Sequence, residues 1–311
     1  MLVFTHPSCL QHDPGPDHPE SPQRLRVVLD ALRSAFPDQL DWREAPTAKR
    51  GDLARVHDSS LIDLVLQPQT ADLRQIDLDT RTSPGSAAAA LHAAGAGVAA
   101  VDAVMRGEDT LAFCAVRPPG HHATATTAMG FCLLNNIAVA AAHARDRHGL
   151  ERIAVVDFDV HHGNGTQDIF QLDPRVAYYS THQAGLFPES GLRRDRGAGN
   201  LLNILLPPGS GSLRFRNVWV EEMLPAIDDF RPQLVLVSAG FDAHLRDPQA
   251  DLMLEAEDFA WITTELHALA RRHAAGRLVS MLEGGYDLQA LAESSVAHVG
   301  SLLDGAGTAG R

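Results

Sequence analysis

The feature that most constrains the fold is a series of continuous apolar segments rich in β-branched residues. Each segment is followed by a Gly/Pro-rich or His-rich turn and then by a helical pattern. A strand that is apolar on both faces must be covered on both faces, which is typical of a parallel sheet between helices. We therefore predict an α/β fold, with an open, mainly parallel sheet sandwiched by helices. The predicted strands lie at 110–116, 152–160, 176–180, 233–238 and 277–282.

Two of the intervening helices have recognisable ends. Ser83 is the predicted N-cap of the first helix, which stops at Gly107. The second is predicted over 135–148, with a glycine directly after it. The apolar stretch 87–105 within the first helix is mostly alanine and glycine and contains a histidine and an aspartate. It is therefore expected to be a packing helix and not a membrane span.

Composition restricts the possible functions. The 311 residues contain 39 acidic and 26 basic side chains, a formal net charge of −13, which argues against a nucleic-acid-binding surface. Three cysteines cannot form a disulfide framework, so we expect a reducing compartment and the cytoplasm, with no membrane segment. No repeat or shift in composition divides the chain. We expect one domain over 1–311, with a frayed tail at 304–311.

Reactive side chains follow four of the predicted strands. They are Asp157, Asp159, His161, Asp242, Tyr286 and the pair His121 and His122. Alternation with period two is expected to place Asp157, Asp159 and His161 on one face at the end of their strand. Open α/β sheets bind ligands at the carboxyl ends of their strands. We therefore expect these side chains to meet at one edge.

The residue types indicate a reaction. Asp159, His161 and Asp242 are a suitable ligand set for a catalytic divalent metal, because three protein ligands leave a position open for water. The two adjacent histidines can supply a general base and a general acid, and Tyr286 can donate to a developing oxyanion. Each residue alone also has a structural interpretation as a cap, turn or core residue. Together they favour metal-assisted hydrolysis of an amide.

Five segments together resemble the zinc-dependent histone deacetylase family. They are RPPGHHA (117–123), GFCLLNN (130–136), VVDFDVHHGNGTQ (155–167), SAGFDAH (238–244) and LEGGYD (282–287). The first and third resemble the class II branch, which includes bacterial deacetylase-like amidohydrolases and acetylpolyamine amidohydrolases. With HPESPQRL (18–25), the resemblance covers nearly the whole chain. It implies the arginase–deacetylase fold and removal of acetyl or other acyl groups from N-acetyl-lysine side chains or related acetylated amines.

The resemblance also implies individual roles. Asp159, His161 and Asp242 match the zinc ligands, and Tyr286 matches the oxyanion-stabilising tyrosine. The tandem histidines match a pair whose partners correspond to Asp157 for His121 and to Asn164 for His122. An asparagine stabilises an imidazolium less than an aspartate would, which favours a neutral His122.

The same resemblance implies the substrate channel and further ions. Phe131 and Phe187 match the aromatic walls of a narrow acyl-lysine channel, which Gly130 and Gly284 line. Arg24 matches an arginine beneath the active site, on the expected path of released acetate. The family also holds structural potassium (K⁺). The implied ligands are Asp157, Asp159, His161, Ser180 and Thr181 at one site, and Phe170, Asp173 and Val176 at another.

One position departs from the family alternatives that report on substrate. Polyamine-selective members tend to carry glutamate after the Asp-Pro that follows the third ligand, and lysine deacetylases often carry leucine or methionine. This chain has Gln249 there, and a rim segment with three arginines at 192–197. The substrate is therefore left open between an acetylated lysine peptide or protein, an acetylpolyamine and a small acetylated amine. The sequence gives no expectation for the oligomeric state.

Two other functions would require different residues. A dinuclear manganese ureohydrolase of the same fold should carry an Asp-x-His-x-Asp run, but a glycine, Gly163, stands where the second aspartate belongs. A non-catalytic acyl-lysine binder is expected to have lost a metal ligand or the tyrosine, and this chain retains them. A zinc deacetylase is the favoured interpretation.

Overall fold

A computed structural model of the chain describes residues 1–70 and 73–307. Its strands are β1 (Leu2–Thr5), β2 (Asp41–Glu44), β3 (Arg74–Gln75), β4 (Arg81–Thr82), β5 (Leu111–Cys114), β6 (Ile153–Asp157), β7 (Val176–Gln183), β8 (Leu201–Leu206), β9 (Leu234–Ala239) and β10 (Leu278–Leu282). Eight of them form one sheet in the order β2-β1-β5-β10-β9-β6-β7-β8, and β3 pairs with β4. Every pairing within the eight-stranded sheet is parallel.

The predicted parallel α/β sheet is confirmed. All five predicted strands are present as β5, β6, β7, β9 and β10, and each is buried along its whole length. Three strands of the large sheet were not predicted. β2 reads DWRE at an exposed edge and lacks an apolar pattern, and β1 has only four residues. β8 reads LLNILL, an apolar signal that the sequence contained and the prediction left out.

The helices are α1 (Pro22–Ala35), α2 (Arg50–Leu53), α3 (Ser59–Leu66), α4 (Ser86–Arg106), α5 (Asn136–His148), α6 (Asn164–Phe170), α7 (Ser212–Val218), α8 (Leu224–Phe230), α9 (Ala256–His273) and α10 (Leu288–Gly307). A 3₁₀ turn covers Pro7–Leu10, and a π-helical turn at Trp219–Met223 joins α7 to α8. Helices cover both faces of the sheet. On β10, Ser280 Oγ lies 2.8 Å from His298 of α10, and the next residue, Met281, contacts α4 at Gly97. Successive strand residues point to opposite faces, so α4 and α10 lie on opposite sides.

Two helix ends differ from the prediction. α4 begins at Ser86, two residues later than expected, because the Ser83 hydroxyl accepts the N–H of Asp13 at 3.0 Å and so does not cap the helix. The predicted frayed tail at 304–311 begins inside α10, which is helical as far as Gly307, and 308–311 lie outside the described residues. The predicted stop of α4 at Gly107 is confirmed by its left-handed φ of +73°.

The ends of α5 agree with the prediction. Asn135 is the N-cap, and its side-chain oxygen accepts the N–H of Ala138. Gly149 ends the helix in the left-handed conformation, with φ at +64°. α5 therefore starts at the motif GFCLLNN, and four residues separate its end from the start of β6.

One helix in the described part of the chain, α4, is long and apolar enough to cross a membrane by length and composition. Its most apolar window is 61% buried inside the protein. A Cβ added at Gly97 would lie 3.0 Å from the Cβ of Ala140 in α5 and 3.1 Å from Met281. The small residues of α4 thus allow close packing against α5 and the sheet, as expected for a core helix.

Candidate active site

The order of the sheet brings together the strands that precede the reactive residues. β5, β10, β9 and β6 are the four central neighbours. The loop after β5 contains His121 and His122, and the loop after β10 contains Tyr286. Asp242 follows β9, and Asp157 is the last residue of β6. All of these side chains therefore lie at the carboxyl edge of the sheet.

The local geometry after β6 differs from the predicted strand over 152–160. β6 ends at Asp157, and the chain then turns because side-chain carboxylates accept nearby backbone N–H groups. Asp157 Oδ1 accepts the N–H of Asp159 at 3.2 Å, and Asp159 Oδ1 accepts the N–H of His161 at 2.9 Å. These turns, rather than strand alternation, present Asp159 and His161 to the site.

Three potential metal ligands converge at this edge. His161 Nδ1 lies 3.2 Å from Asp159 Oδ1 and 3.1 Å from Asp242 Oδ2. Backbone groups hold both carboxylates in place: the N–H of Gly284 donates to Asp159 Oδ2, and the N–H of Val160 donates to Asp242 Oδ1, each at 2.9 Å. The histidine side chain is 12% exposed, and the two aspartates are 1% and 0% exposed.

The electrostatics of these three residues favour a cation. Burial raises the pKa of Asp242 to about 7, and the nearby Asp159 carboxylate adds to this effect. Burial opposes the charge on His161, but its bonds to Asp159 and Asp242 raise its pKa to about 10. The ligand atoms lie within 4.8 Å of one another. Two carboxylates and an imidazole around one point form a donor set that fits a divalent metal ion.

The tandem histidines have different partners. His121 Nδ1 lies 3.0 Å from Asp157 Oδ2, and His122 Nδ1 lies 2.8 Å from Asn164 Oδ1, with the two rings 4.0 Å apart. Burial disfavours a charged His121, but the carboxylates of Asp159 and Asp157 outweigh it and hold the pKa of His121 well above its usual value. Burial and the neighbouring His121 hold the pKa of His122 well below its usual value. The two imidazoles therefore differ in protonation.

Tyr286 is held by its backbone and by its ring. Its N–H donates to Asp247 Oδ2 at 2.6 Å. The guanidinium of buried Arg24, which pairs with Glu20 at 2.9 Å, lies 4.8 Å from the centre of the Tyr286 ring, and the ring of Phe131 approaches at 5.8 Å. Burial raises the pKa of the Tyr286 phenol well above its usual value, although Arg24 opposes this. The phenol is therefore an O–H donor near neutral pH.

The residues expected to form the channel lie beside these groups. The ring of Phe187 is 5.1 Å from that of His122 and is 37% exposed, and Phe131 adopts a left-handed φ of +66°. Gly130 also has a left-handed φ, and a Cβ there would lie 2.5 Å from His122. A Cβ at Gly284 would lie 2.0 Å from a carboxylate oxygen of Asp242. Only glycine fits at these two positions without moving the site.

Gln249 lies on the loop that follows Asp242. It is partly exposed, and its N–H donates to Asp247 Oδ1 at 3.0 Å. Asp247 therefore fixes both the Gln249 turn and the Tyr286 loop. In the rim segment 192–197, Arg193 forms an ion pair with Glu222, which offsets part of the positive charge there.

Sequence reasoning missed three residues that support the site. The first, Glu283, is buried and accepts the N–H groups of Gly120 at 2.6 Å and His121 at 3.2 Å, and burial raises its pKa to about 7. The second is Tyr178, whose hydroxyl donates to Asp157 Oδ2 at 2.9 Å. The third is Asp247, described above. A carboxylate directly after a buried strand was the available signal for Glu283, while no local pattern marks the other two.

The residues implied as potassium ligands fall into two groups. In the first, Asp157 and Ser180 are paired in register across β6 and β7, and Ser180 Oγ lies 2.9 Å from His182 Nδ1. Thr181 follows on β7 and is buried. These side chains lie next to the loop that carries Asp159 and His161.

In the second group, three backbone carbonyls point at one place. The carbonyl oxygens of Phe170, Asp173 and Val176 accept from Asn200 Nδ2 at 2.8, 3.1 and 2.8 Å. The Asp173 carboxylate is directed elsewhere and pairs with Arg145 at 2.8 Å. Three acceptors around one amide nitrogen form a concentration of negative partial charge.

The parallel sheet and the polar residues at its carboxyl edge define an enzyme of the arginase–deacetylase fold. The sequence model of the histone deacetylase domain family matches residues 18–302. The chain therefore belongs to the histone deacetylase family and is a hydrolase of that family.

Named relatives agree with this membership. The chain is 43% identical to the histone deacetylase-like amidohydrolase of Pseudomonas aeruginosa over 275 residues, which are 87% of this chain and 72% of the relative. It is 38% identical to the polyamine deacetylase HDAC10 of Homo sapiens over 301 residues, covering 91% of this chain and 44% of the relative. The crystal structure of the HDA15 HD domain matches with a TM-score of 0.92 and 33% identity, covering 97% of this chain and 89% of that structure.

Proposed function

We propose that this hydrolase uses zinc to remove acetyl groups from N-acetyl-lysine side chains or from related acetylated amines. The observation that carries the proposal is the convergence of Asp159, His161 and Asp242 in a buried cluster beside two imidazoles of different protonation. Family membership supplies the reaction class, and the residues at the edge of the sheet supply the chemistry.

Asp159, His161 and Asp242 would hold the zinc ion. When bound, zinc would polarise the amide carbonyl of the substrate and lower the pKa of a water molecule. The protein supplies the remaining parts of the reaction. Its first contribution is rigidity, because backbone N–H groups hold the far oxygens of both carboxylates and leave the near oxygens directed at His161.

His121 and His122 divide the proton transfers. The Asn164 oxygen is an acceptor, so His122 Nδ1 donates to it and Nε2 keeps its lone pair. Neutral His122 is therefore suited to take a proton from the attacking water. His121, kept charged by Asp157 and Asp159, stabilises negative charge and is suited to protonate the departing amine.

Tyr286 stabilises the oxyanion that forms when water attacks the carbonyl. Its phenol remains protonated and can donate one hydrogen bond to the oxygen as charge develops. Arg24 and Asp247 restrict the position of the Tyr286 loop. Phe131 and Phe187 would contact the apolar stem of an acylated amine and exclude water from it.

The substrate is the finer part of the proposal. Acetyl-lysine in a peptide or protein is our first candidate, because Gln249 offers no negative charge to attract a distant ammonium. Acetylpolyamines are the second candidate, because one relative is named a polyamine deacetylase. Three free, buried cysteines are consistent with the cytoplasmic location that we propose.

We also propose structural potassium at the positions implied by the family. The meeting of the Phe170, Asp173 and Val176 carbonyls supports the second site, because a ring of carbonyl oxygens is a suitable environment for a monovalent cation. In that case the Asn200 side chain must turn aside. Activity that rises with potassium but not with lithium chloride at equal ionic strength would support this part.

Turnover of a fluorogenic acetyl-lysine amide, with and without a chelator, tests the reaction. We expect chelation to abolish turnover and added zinc to restore it. His121→Ala and Asp242→Ala should both be inactive, and robust activity in either variant would contradict the assignment. Two manganese ions per chain would favour the ureohydrolase, whereas tight peptide binding without product would favour the non-catalytic binder.

A substrate panel tests the substrate class. It compares acetyl-lysine peptides, longer acyl-lysines, acetylated polyamines and small acetylated amines for the wild type and Gln249→Glu. We expect the wild type to prefer acetyl-lysine and the variant to gain turnover of acetylpolyamines. If glutamate gives no such gain, Gln249 does not control substrate choice.

A further inference from the structure

A second group of potential metal ligands lies away from the active site. Asp102 is in the last turns of α4, and His143 and His148 are in the last turns of α5. Both imidazole Nε2 atoms lie 2.7 Å from the same oxygen, Asp102 Oδ1. α5 leads into the start of β6, whereas Asp157 stands at the end of β6. The group therefore lies toward the amino edge of the sheet, opposite the active site.

We propose that Asp102, His143 and His148 form a binding site for one divalent transition-metal ion, with Zn²⁺ as the expected occupant. Two imidazoles and one carboxylate are among the donor sets that zinc accepts. Ligand atoms around a tetrahedral zinc lie roughly 3.3 Å apart, given zinc–nitrogen distances near 2.0 Å. Separating the present 2.7 Å contacts to that distance requires shifts of well under 1 Å each.

The surroundings give an ion access to this group. It lines a cavity of about 640 Å³ between α4, α5 and the segment around Thr47 and Lys49. The His143 side chain is 7% exposed, while those of His148 and Asp102 are 22% and 33% exposed. One ligand is therefore anchored in the protein, and the other two face the opening. Water in the cavity can complete the coordination.

One cation competes with a metal at this position. Arg106 Nη1 lies 3.9 Å from Asp102 Oδ2, one helical turn away on α4. The same guanidinium donates through Nε to Glu108 at 2.8 Å, and its side chain is 58% exposed. It can therefore turn to Glu108 and solvent when a metal binds. Arg106 therefore lowers the metal affinity of the site without blocking it. Removing Arg106 should raise that affinity, whereas removing a ligand should lower it.

The experiment is calorimetric titration of the full chain with Zn²⁺ after its first equivalent has been bound. We expect one further equivalent to bind. Loss of partners that only orient metal ligands costs roughly 10- to 100-fold in affinity, so His148→Gln, which removes a ligand, should weaken this second binding at least tenfold. Arg106→Gln should tighten it about fivefold, the effect of removing a unit charge near 4 Å in a water-like dielectric.

Two controls separate this site from other binding. His273, at the end of α9, pairs with Asp228 of α8, and His273→Gln should leave the second equivalent unchanged. Asp242→Asn should remove the first equivalent but not the second, so failure of the proposed active-site metal does not affect the result. Absence of zinc binding in Asp242→Asn would overturn the proposal, as would binding in that variant that responds to neither His148→Gln nor Arg106→Gln.

A spectroscopic measurement covers the case in which His148→Gln unfolds. Cu²⁺ added to the zinc-loaded protein should show nitrogen coupling from two imidazoles in its electron paramagnetic resonance spectrum. Asp102→Asn keeps both histidines and should weaken copper binding while retaining that coupling. A wild-type spectrum without nitrogen coupling would contradict the site.

Discussion

Two groups of aspartate and histidine side chains lie at opposite edges of the same sheet, and they differ in how the protein holds them. Asp159, His161 and Asp242 stand on loops and are almost completely buried, and backbone N–H groups hold the two carboxylates in place. Asp102 and its two histidines stand on helices, and the aspartate is one-third exposed. Burial and the nearby Asp159 carboxylate raise the pKa of Asp242 to about 7. Partial burial opposes the charge on Asp102, but its hydrogen bonds with His143 and His148 outweigh this and lower the pKa of Asp102.

The difference indicates what distinguishes a catalytic centre from a peripheral ligand group. At the active-site edge, two buried carboxylates repel each other, and a bound metal would relieve that repulsion. Acid–base groups for metal-assisted hydrolysis lie beside them. In the helix group both imidazoles contact the Asp102 carboxylate, and in the described part of the chain no general acid or base stands beside this group in an apolar channel. The following predictions test how far the rigidity and burial of the active-site edge determine its function.

The largest effect is expected from Gly284→Ala. The added Cβ would lie 2.0 Å from Asp242 Oδ2 and 2.6 Å from Asp159 Oδ2, so both carboxylates must move. We expect turnover to fall at least 100-fold, with loss of the first zinc equivalent. Gly51→Ala is the matched control, because nothing lies within 4 Å of a Cβ there. Full activity of Gly284→Ala would show that the site is less rigid than this geometry requires.

Tyr286→Phe should have the next largest effect. It removes the proposed oxyanion donor and keeps the ring that packs against Arg24 and Phe131. Loss of one such donor lowers kcat roughly 100- to 1,000-fold. We expect KM and zinc stoichiometry to change little. An unchanged kcat would remove Tyr286 from the reaction.

Asp247→Asn should have an intermediate effect. The carboxylate accepts the N–H groups of Tyr286, Asp287 and Gln249, and an asparagine has one acceptor oxygen instead of two. We expect kcat to fall roughly tenfold, less than the loss of the Tyr286 hydroxyl itself. Zinc stoichiometry should be unchanged, and Tyr286→Phe/Asp247→Asn should lose less than the product of the two single effects. Full additivity would mean that Asp247 does not act through Tyr286.

The smallest effect concerns the start of α5, the helix that connects the two edges. His57 Nδ1 donates to the Thr124 carbonyl at 2.9 Å, and Nε2 accepts the N–H of Asn135 at 2.9 Å, so only the neutral ring fits. Burial lowers the pKa of His57 to about 4 from 6.5. The unfolded chain therefore binds a proton first as the pH falls. The stabilisation is complete above pH 6.5 and is lost as the pH falls towards 4.

Denaturant unfolding across this pH range measures that contribution. One proton bound by the unfolded chain but not by the folded protein changes the free energy of unfolding by up to about 1.4 kcal/mol per pH unit. His57→Gln should be less stable at neutral pH but should show a shallower loss of unfolding free energy below pH 6.5. Equal slopes for the wild type and the variant would mean that His57 does not titrate differently in the two states.

Much of the active-site edge could be predicted because its residues stand in local patterns. Asp157, Asp242 and Tyr286 each follow a buried apolar run closely, and the carboxyl ends of parallel strands must meet. The prediction was less accurate where side chains compete with the backbone. Ser83 bonds to Asp13 instead of capping α4, and Asp157 ends β6 early by accepting an N–H group. Such competition depends on partners that the local sequence does not identify.

The sequence by itself determined the α/β class, the parallel sheet and the residue types of the reaction, since these follow from periodicity and motif order. Only the tertiary structure decided which strands are neighbours, and so that β5, β10, β9 and β6 lie side by side. It also joined Asp102 to His143, 41 residues apart, neither of which has a functional signal of its own. The physical reason is that propensity and periodicity act over a few residues, while sheet order and helix packing depend on side chains distant in the chain.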